Sequence, residues 1–195
     1  MNRNIKIERK TKETEVTLEL NIDGKGIFNI NTSVPFLNHM IELASAHGFF
    51  DIIINARGDT NIDFHHIVED IGIVLGKGFK QALGEKKGII RFGMSQVPMD
   101  ESLTSVCIDI SGRPLLIYNA GIGKEKVGNF DVELVKEFFK AFSGNSGMTI
   151  HINTFYGENV HHIIESIFKN WGRALNQATR IDPKISEVLS TKGSL

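Results

Sequence analysis

Cysteine is almost absent from this sequence, since Cys107 is the single cysteine among 195 residues. A disulfide within one chain is therefore excluded, and a lone cysteine is typical of a protein in a reducing compartment. We accordingly expect a cytoplasmic location. Residues 1–9 are polar and charged and contain no apolar signal-peptide core. No apolar run approaches the roughly 20 residues that span a bilayer, so we expect no membrane partner.

An excess of charge of either sign is also missing. The chain has 22 lysine and arginine residues against 23 aspartate and glutamate residues, a formal net charge of −1. Nucleic-acid binding needs a basic surface that neutralises phosphates, so we expect no nucleic-acid partner. There are only four prolines, and no Pro-rich or Gly-rich linker or charged block divides the chain. With 41% hydrophobic residues, residues 1–195 are predicted to form a single domain.

Histidine is the residue type whose pattern is unusual. Four of the seven histidines form two adjacent pairs, and each pair is followed at the same spacing by a glutamate. The two copies are His65-His66-x-x-Glu69 and His161-His162-x-x-Glu165. They are 96 residues apart (161 − 65), close to half the chain, which indicates a duplicated unit. We predict pseudo-repeats at about 1–87 and 88–180, followed by a carboxy-terminal tail at about 181–195.

Hydrophobic periodicity predicts the same element order in both halves. Val16, Leu18 and Leu20 alternate with polar residues, as in a half-buried strand. Strands are predicted at 5–9, 16–22, 27–31, 51–57, 89–97, 103–110, 115–118 and 148–153, and helices at 35–47, 66–83, 131–142 and 161–178. Each half is therefore βββαβα, an α+β fold with helices on one face of a mostly antiparallel sheet.

The two His-His-x-x-Glu motifs have a spacing that suits metal binding. Residues i and i+4 share one helix face, so His65 with Glu69 and His161 with Glu165 can each bind an ion. The second histidine of each motif points about 100° away. Two ion sites result if each His/Glu pair takes the second histidine of the other helix. Imidazole with carboxylate suits Mn, Fe, Zn or Ni rather than Ca or Mg. A core role explains a single histidine, but a purely structural duplication would retain apolar residues instead.

Further candidates lie on the first predicted helix of each half. His39 and His47 are eight residues apart and so lie near one face. We predict His39 as a further ligand and His47 as a neighbour in the pocket, with a packing role for His47 as the alternative. A repeat offset of 98 (137 − 39) places Glu137 opposite His39. Glu137 is therefore either a ligand or part of a solvated helix face.

Anion binding is indicated by residues beside predicted turns. Ser190, Thr191 and Lys192 combine hydroxyls with an ammonium group, which suits a phosphate. Arg91 and Arg113 stand beside glycine or proline, and arginine binds oxyanions in a bidentate manner. An ordinary solvated tail and ordinary surface charges are the alternatives.

Over essentially its whole length, the sequence resembles the imidazoleglycerol-phosphate dehydratase family. The resemblance rests on many short motifs in a fixed order. They are Arg9-Lys-Thr-Lys-Glu13-Thr14, Asp23-Gly24-x-Gly26, Pro35-Phe-Leu-Asn-His39-Met40, Gly58-Asp59, Asp63-x-His65-His66-x-x-Glu69-Asp70, Gly88-Ile-x-Arg91-Phe92-Gly93, Pro98-Met-Asp100-Glu101, Ser111-Gly-Arg113-Pro114, Gly157-x-Asn159-x-His161-His162-x-x-Glu165-x-x-Phe168-Lys169 and Ser190-Thr-Lys192-Gly193.

The resemblance implies a fold and an assembly. The fold has two tandem duplicated βββαβα units, two-layer α/β sandwich halves that are ribosomal protein S5 domain 2-like, with a left-handed crossover that departs from the usual rule. The assembly is a homo-oligomer of 24 subunits built from trimers, with two Mn²⁺ per active site at subunit contacts. The implied metal ligands are His39, His65, His66, Glu69, His161, His162 and Glu165. Glu137 stands where the family commonly has histidine, and Asn38 stands where it usually has aspartate.

The resemblance also implies a reaction. A hydro-lyase of this family converts D-erythro-imidazole glycerol phosphate to imidazole acetol phosphate and water in L-histidine biosynthesis, through an imidazolate bound by two manganese ions. Glu13 matches the residue assigned to proton transfer, and we add His47 and Glu165 as catalytic residues. The implied phosphate-binding residues are Arg91, Arg113, Lys169, Ser190, Thr191 and Lys192. A metal-storage protein and a two-metal hydrolase are the alternatives. Storage does not need the phosphate-binding residues, and the sequence lacks the Asp-rich ligand pattern expected for phosphoester cleavage.

Overall fold

The first pseudo-repeat has the element order βββαβα in the computed structural model, which describes residues 3–193. Ser194 and Leu195, the end of the predicted tail, lie outside the described residues. The elements are β1 (Asn4–Lys10), β2 (Thr14–Asn21), β3 (Phe28–Asn31), α1 (Pro35–Gly48), β4 (Asp51–Gly58) and α2 (His65–Leu83). Pro35 suits the first turn of α1, because backbone N–H groups in the first turn of a helix have no acceptor within the helix and proline lacks this group.

The second pseudo-repeat follows the same order with one insertion. Its elements are β5 (Phe92–Met99), β6 (Ser102–Asp109), β7 (Leu115–Asn119), β8 (Lys126–Val127), β9 (Phe130–Asp131), α3 (Leu134–Ser146), β10 (Thr149–Tyr156) and α4 (Val160–Thr179). The small β8–β9 hairpin is the insertion. Apart from it, the predicted duplication of βββαβα units is confirmed.

Two four-stranded sheets share one topology. Their strand orders are β1-β2-β4-β3 and β5-β6-β10-β7, and only the last pair of each sheet is parallel. Leu18 pairs with Ile54 in one sheet, and Val106 pairs with Ile152 at the equivalent place in the other. The repeat offset is thus 88 in the first strands (106 − 18) and 98 after the inserted hairpin (152 − 54). The offset of 96 between the histidine motifs holds for α2 and α4 alone.

Helices of one repeat pack against helices of the other, α2 on α3 and α1 on α4. A Cβ added at Gly72 would lie 2.7 Å from the carbonyl oxygen of Phe138, so glycine is required at the α2–α3 crossing. The buried ring of Trp171 makes edge-to-face contacts with four phenylalanine rings of α3 and α4. A single hydrophobic cluster therefore runs through both repeats.

Two elements begin three residues later than predicted. The strand expected at 89–97 begins at Phe92, because Ile89 bridges to Ile181 of the tail and Arg91 has a φ of 73°. The helix expected at 131–142 begins at Leu134, because Asp131 belongs to the inserted hairpin. Within residues 3–193, none of the helices has the length and apolar character needed to span a membrane.

Candidate active site

Three metal-type ligands from two helices converge on one point. His39 on α1 places Nε2 2.8 Å from Oε1 of Glu165, and His161 places Nε2 3.2 Å from the same oxygen. Ligand atoms of these three residues lie within 4.8 Å of one another, and no other such group of three occurs in residues 3–193. Two imidazoles with a carboxylate fit Mn, Fe, Zn or Ni.

Local sequence positions the two ligands on α4. The side chain of Asn159 accepts a hydrogen bond from the backbone N–H of His161 (2.9 Å) and so caps the helix. With the helix starting there, His161 and Glu165 are one turn apart on the same face. The close packing of α1 on α4 then brings His39 to this face.

Glu165 is only 8% exposed. Burial by itself would raise its pKa, but hydrogen bonds from Lys169 (Nζ–Oε2 2.8 Å) and His39 lower the pKa to about 2. Lys169 also contacts Sδ of Met99 at 2.9 Å. Lys169 therefore lies beside the cluster of His39, His161 and Glu165, whereas the other predicted phosphate-binding residues line the pocket at the tail.

The first histidine motif lies at the start of α2. His65 lines a groove of about 570 Å³ together with Glu137 of α3, so the structure places the proposed replacement ligand beside this motif. Glu137 also forms an ion pair with Lys140 (3.1 Å). Within residues 3–193, no third ligand joins His65 and Glu69 at metal-binding distance.

The second histidine of each motif contacts a carboxylate that the sequence analysis did not assign. Nδ1 of His66 lies 3.0 Å from Asp59, and Nδ1 of His162 lies 2.7 Å from Glu101. Both carboxylates belong to quoted motifs, but only their spatial proximity to the rings identifies their role. The expected exchange of second histidines between α2 and α4 is not formed within residues 3–193, because among the helices α2 packs on α3 and α4 on α1. His39 completes the second pair instead.

Glu13 lies in the turn between β1 and β2. Its Oε2 is 3.8 Å from Nδ1 of His66, and its side chain is 56% exposed. The turn is held by Thr11, whose Oγ1 accepts the backbone N–H groups of Glu13 (3.1 Å) and Thr14 (2.9 Å). The structure therefore places the predicted proton-transfer residue beside the first histidine motif, with its carboxylate open to a ligand.

Residues predicted to bind phosphate line one pocket of about 850 Å³. They are Arg91, Arg113, Ser190, Thr191 and Lys192. Arg91 is fixed by Asp109 (Nε–Oδ1 2.7 Å) and donates to the carbonyl oxygen of Leu189 (2.7 Å), which attaches the tail. Arg113 is 70% exposed and lies 3.7 Å from Asp109. The pocket thus offers an open guanidinium, hydroxyls and an ammonium group.

His47 and Asn38, also on α1, have surroundings different from those of His39. His47 lines a groove with Arg173 and Arg180. Burial, followed by the charges of Lys169 and Arg173, lowers the pKa of His47 and favours its neutral ring. Asn38 accepts a hydrogen bond from the hydroxyl of Thr32 in the preceding loop, so it braces the start of α1.

Comparison with known proteins agrees with these features. A family model described as imidazoleglycerol-phosphate dehydratase matches residues 32–175. The imidazoleglycerol-phosphate dehydratase of Geobacter metallireducens is 58% identical over 195 residues and that of Acetivibrio thermocellus 55% identical, each covering 100% of both chains.

Two solved structures have the same fold. A crystal structure of imidazoleglycerol-phosphate dehydratase from Staphylococcus aureus superposes with a TM-score of 0.83 at 42% identity and covers 92% of this chain and 99% of its own. That of IGPD from Pyrococcus furiosus, in complex with (S)-C348, has a TM-score of 0.84 at 37% identity and covers 97% of this chain and 100% of its own. The duplicated fold, the histidine motifs and these full-length matches lead to one conclusion. The chain belongs to the imidazoleglycerol-phosphate dehydratase family of hydro-lyases.

Proposed function

We propose that this chain dehydrates D-erythro-imidazole glycerol phosphate to imidazole acetol phosphate and water, a step of L-histidine biosynthesis, in the cytoplasm. The observation that carries the proposal is the convergence of His39, His161 and Glu165 in a chain of this family. A small phosphorylated substrate also accounts for the pocket at the tail, because Arg91, Arg113 and Lys192 line that pocket in a chain with no general excess of basic residues.

The same proposal includes two Mn²⁺ per active site. Bound manganese supplies Lewis-acid polarisation of the substrate imidazole and a template for its orientation. His39, His161 and Glu165 would hold one ion. His65 and Glu69, with Glu137 from the adjoining groove, would contribute to the other, and His66 and His162 offer the ring nitrogens that their carboxylate partners leave free.

Assembly of copies is part of the proposal. Within residues 3–193, the cluster of His39, His161 and Glu165, the groove at His65 and the pocket at the tail have no residue in common. This separation supports a homo-oligomer in which neighbouring subunits complete each site, and we propose the assembly of 24 subunits built from trimers that the family resemblance implies. No nucleic acid or membrane takes part in this assembly.

The chain's own side chains would handle the proton and the phosphate. The hydrogen to be removed lies on C2, which is next to no carbonyl group, so its loss must be coupled to departure of the C3 hydroxyl. The C2 proton and the C3 hydroxyl together leave as water, and the resulting enol tautomerises to the ketone product. Glu13 is the exposed carboxylate that would take the C2 proton, and His47 stays a predicted catalytic residue. Arg113, Ser190, Thr191 and Lys192 hold the phosphate, while Arg91 fixes the tail that carries three of them. Binding at the remote phosphate positions the reacting carbons.

The test joins metal analysis with turnover of imidazole glycerol phosphate. We expect bound manganese and turnover in the wild type, and Glu13→Gln should keep the metal but lose about 10²–10⁴-fold in kcat. Glu8→Gln, an exposed carboxylate of the same hairpin, is the matched control and should keep its rate. Metal binding without turnover would instead favour a metal-storage protein, and full activity of Glu13→Gln would remove its role.

A further inference from the structure

Glu101, in the turn between β5 and β6, is held by both of its carboxylate oxygens. Oε1 accepts the backbone N–H groups of Asn159 (2.8 Å) and Glu158 (3.3 Å) and the hydroxyl of Ser102 (3.0 Å). Oε2 lies 2.7 Å from Nδ1 of His162. One oxygen therefore ties the turn to the start of α4, and the other meets a single ring nitrogen.

Close backbone packing brings the two loops together. A Cβ added at Gly157 would lie 2.5 Å from Oγ of Ser102 and 2.7 Å from Cγ1 of Ile163, so glycine is needed there. Ser102 is fully buried. The loop that donates to Glu101 is thus packed against the buried side chains of Ser102 and Ile163, while the Glu101 side chain is 37% exposed and is held by its hydrogen bonds.

An ionised carboxylate can only accept hydrogen bonds, and a neutral imidazole carries its proton on one of two nitrogens. The contact with Glu101 therefore keeps that proton on Nδ1 of His162 and leaves the lone pair on Nε2, where the nearest carboxylate, that of Asp100, lies 4.0 Å away and beyond hydrogen-bond distance. A metal bond requires such a free lone pair, and the partner of the opposite nitrogen decides which one is available.

The first pseudo-repeat makes the equivalent contact with a different residue. The turn position equivalent to Glu101 is Glu13, at the strand offset of 88 (101 − 13). There, Asp59 contacts Nδ1 of His66 at 3.0 Å, and Glu13 stays at 3.8 Å. Two unrelated residues thus meet the equivalent nitrogen, which is not what inherited packing alone produces.

We propose that Glu101 is a positioning residue that holds His162 in the Nδ1–H form with Nε2 presented to a divalent metal ion. The proposal rests on the metal-binding part of the proposed function. In the first repeat Asp59 has this task, which leaves the turn carboxylate of Glu13 free for proton transfer.

Glu101→Gln separates this role from that of a structural tie. The glutamine keeps an oxygen for the three donors that Oε1 now satisfies, so the turn and α4 stay connected. Its amide N–H then faces Nδ1 of His162 and donates to it, which moves the ring proton to Nε2. The hydrogen bonds that connect the turn to α4 are kept in this variant. The Nε2 atom of His162, however, now carries the proton and has no lone pair for a metal ion.

The experiment uses the full chain, stripped of metal with a chelator and labelled with ¹⁵N-histidine. Solid-state NMR at alkaline pH, where free imidazoles are neutral, should show one histidine change from the Nδ1–H to the Nε2–H form in Glu101→Gln. Titration with Mn²⁺ should show one class of site weakened by about 10–100-fold. Glu158→Gln, an exposed carboxylate beside the same loop, should match the wild type in both measurements.

A double-mutant cycle protects the test against a folding defect. If Glu101 acts through His162, Glu101→Gln should cause no further loss of Mn²⁺ affinity once His162→Ala is present. Unchanged tautomers or unchanged Mn²⁺ affinity in Glu101→Gln would overturn the proposal. So would a double variant in which the affinity losses of Glu101→Gln and His162→Ala add up in full. If the wild type binds no Mn²⁺, the proposed function fails in its metal part, while the tautomer measurement still decides whether Glu101 orients the ring.

Discussion

The stability of the second repeat should depend strongly on the side chain of Asn170, the residue after Lys169 on α4. Asn170 is fully buried. Its Oδ1 accepts the backbone N–H of Val97 on the edge strand β5 (2.9 Å), and its Nδ2 donates to the carbonyl oxygen (3.1 Å) and the hydroxyl (3.0 Å) of Thr104 on β6. One amide therefore connects the helix to two strands.

The substitution Asn170→Leu keeps much of the volume and removes all of these hydrogen bonds. Loss of the acceptor for the partly buried N–H of Val97 costs about 1–3 kcal/mol, and the lost bonds to Thr104 add about 1 kcal/mol. We therefore expect the free energy of unfolding to fall by about 3 kcal/mol. The measurement is urea-induced unfolding followed by circular dichroism, at one protein concentration because oligomer stability depends on it.

Gln177→Leu is the matched control. Oε1 of Gln177 accepts the backbone N–H of Met94 on the same strand (2.9 Å), and this hydrogen bond is exposed to solvent. Water replaces that acceptor, so the free energy of unfolding should change by no more than about 0.5 kcal/mol. Equal losses in the two variants would refute the reasoning, because burial would then not decide the cost. A loss below about 1 kcal/mol for Asn170→Leu would refute it as well.

Three further predictions concern the site and the first repeat. Lys192→Ala should raise KM for the phosphorylated substrate by about 10-fold or more with a smaller change in kcat, since a charge-assisted bond contributes about 1.5–3 kcal/mol; an unchanged KM in steady-state kinetics would remove Lys192 from the phosphate site. Chelation of the metal should divide the assembly into smaller oligomers in sedimentation velocity, and an unchanged profile would count against metal sites at subunit contacts. Burial would raise the pKa of Asp51, but the backbone N–H groups of Lys25 (2.8 Å) and Ile27 (3.0 Å) lower it below its ordinary 3.8. The stabilisation is present above that value and lost as pH falls through the folded-state pKa. The melting temperature of Asp51→Asn should thus approach that of the wild type in acid, and a constant difference at every pH would contradict this.

Local patterns accounted for most of the elements because periodicity and helix starts act over a few residues. Asn159 begins α4 and thereby places His161 and Glu165 on one face, as their spacing predicted. The predicted starts of β5 and α3 were wrong because contacts that the local pattern does not show determine where these elements begin. The segment before Phe92 leaves the sheet for the tail, and Asp131 joins an inserted hairpin that no periodicity indicated.

The sequence by itself determined the duplication, the two His-His-x-x-Glu faces and the family, since these depend on residue types and their spacing along the chain. Only the tertiary structure decided which groups meet. His39 joins Glu165 across 126 positions (165 − 39), and Glu101 reaches His162 across 61 (162 − 101). These contacts follow from the packing of α1 on α4 and from the fit of the β5–β6 turn at Gly157, and such long-range packing leaves no periodic signal in the chain.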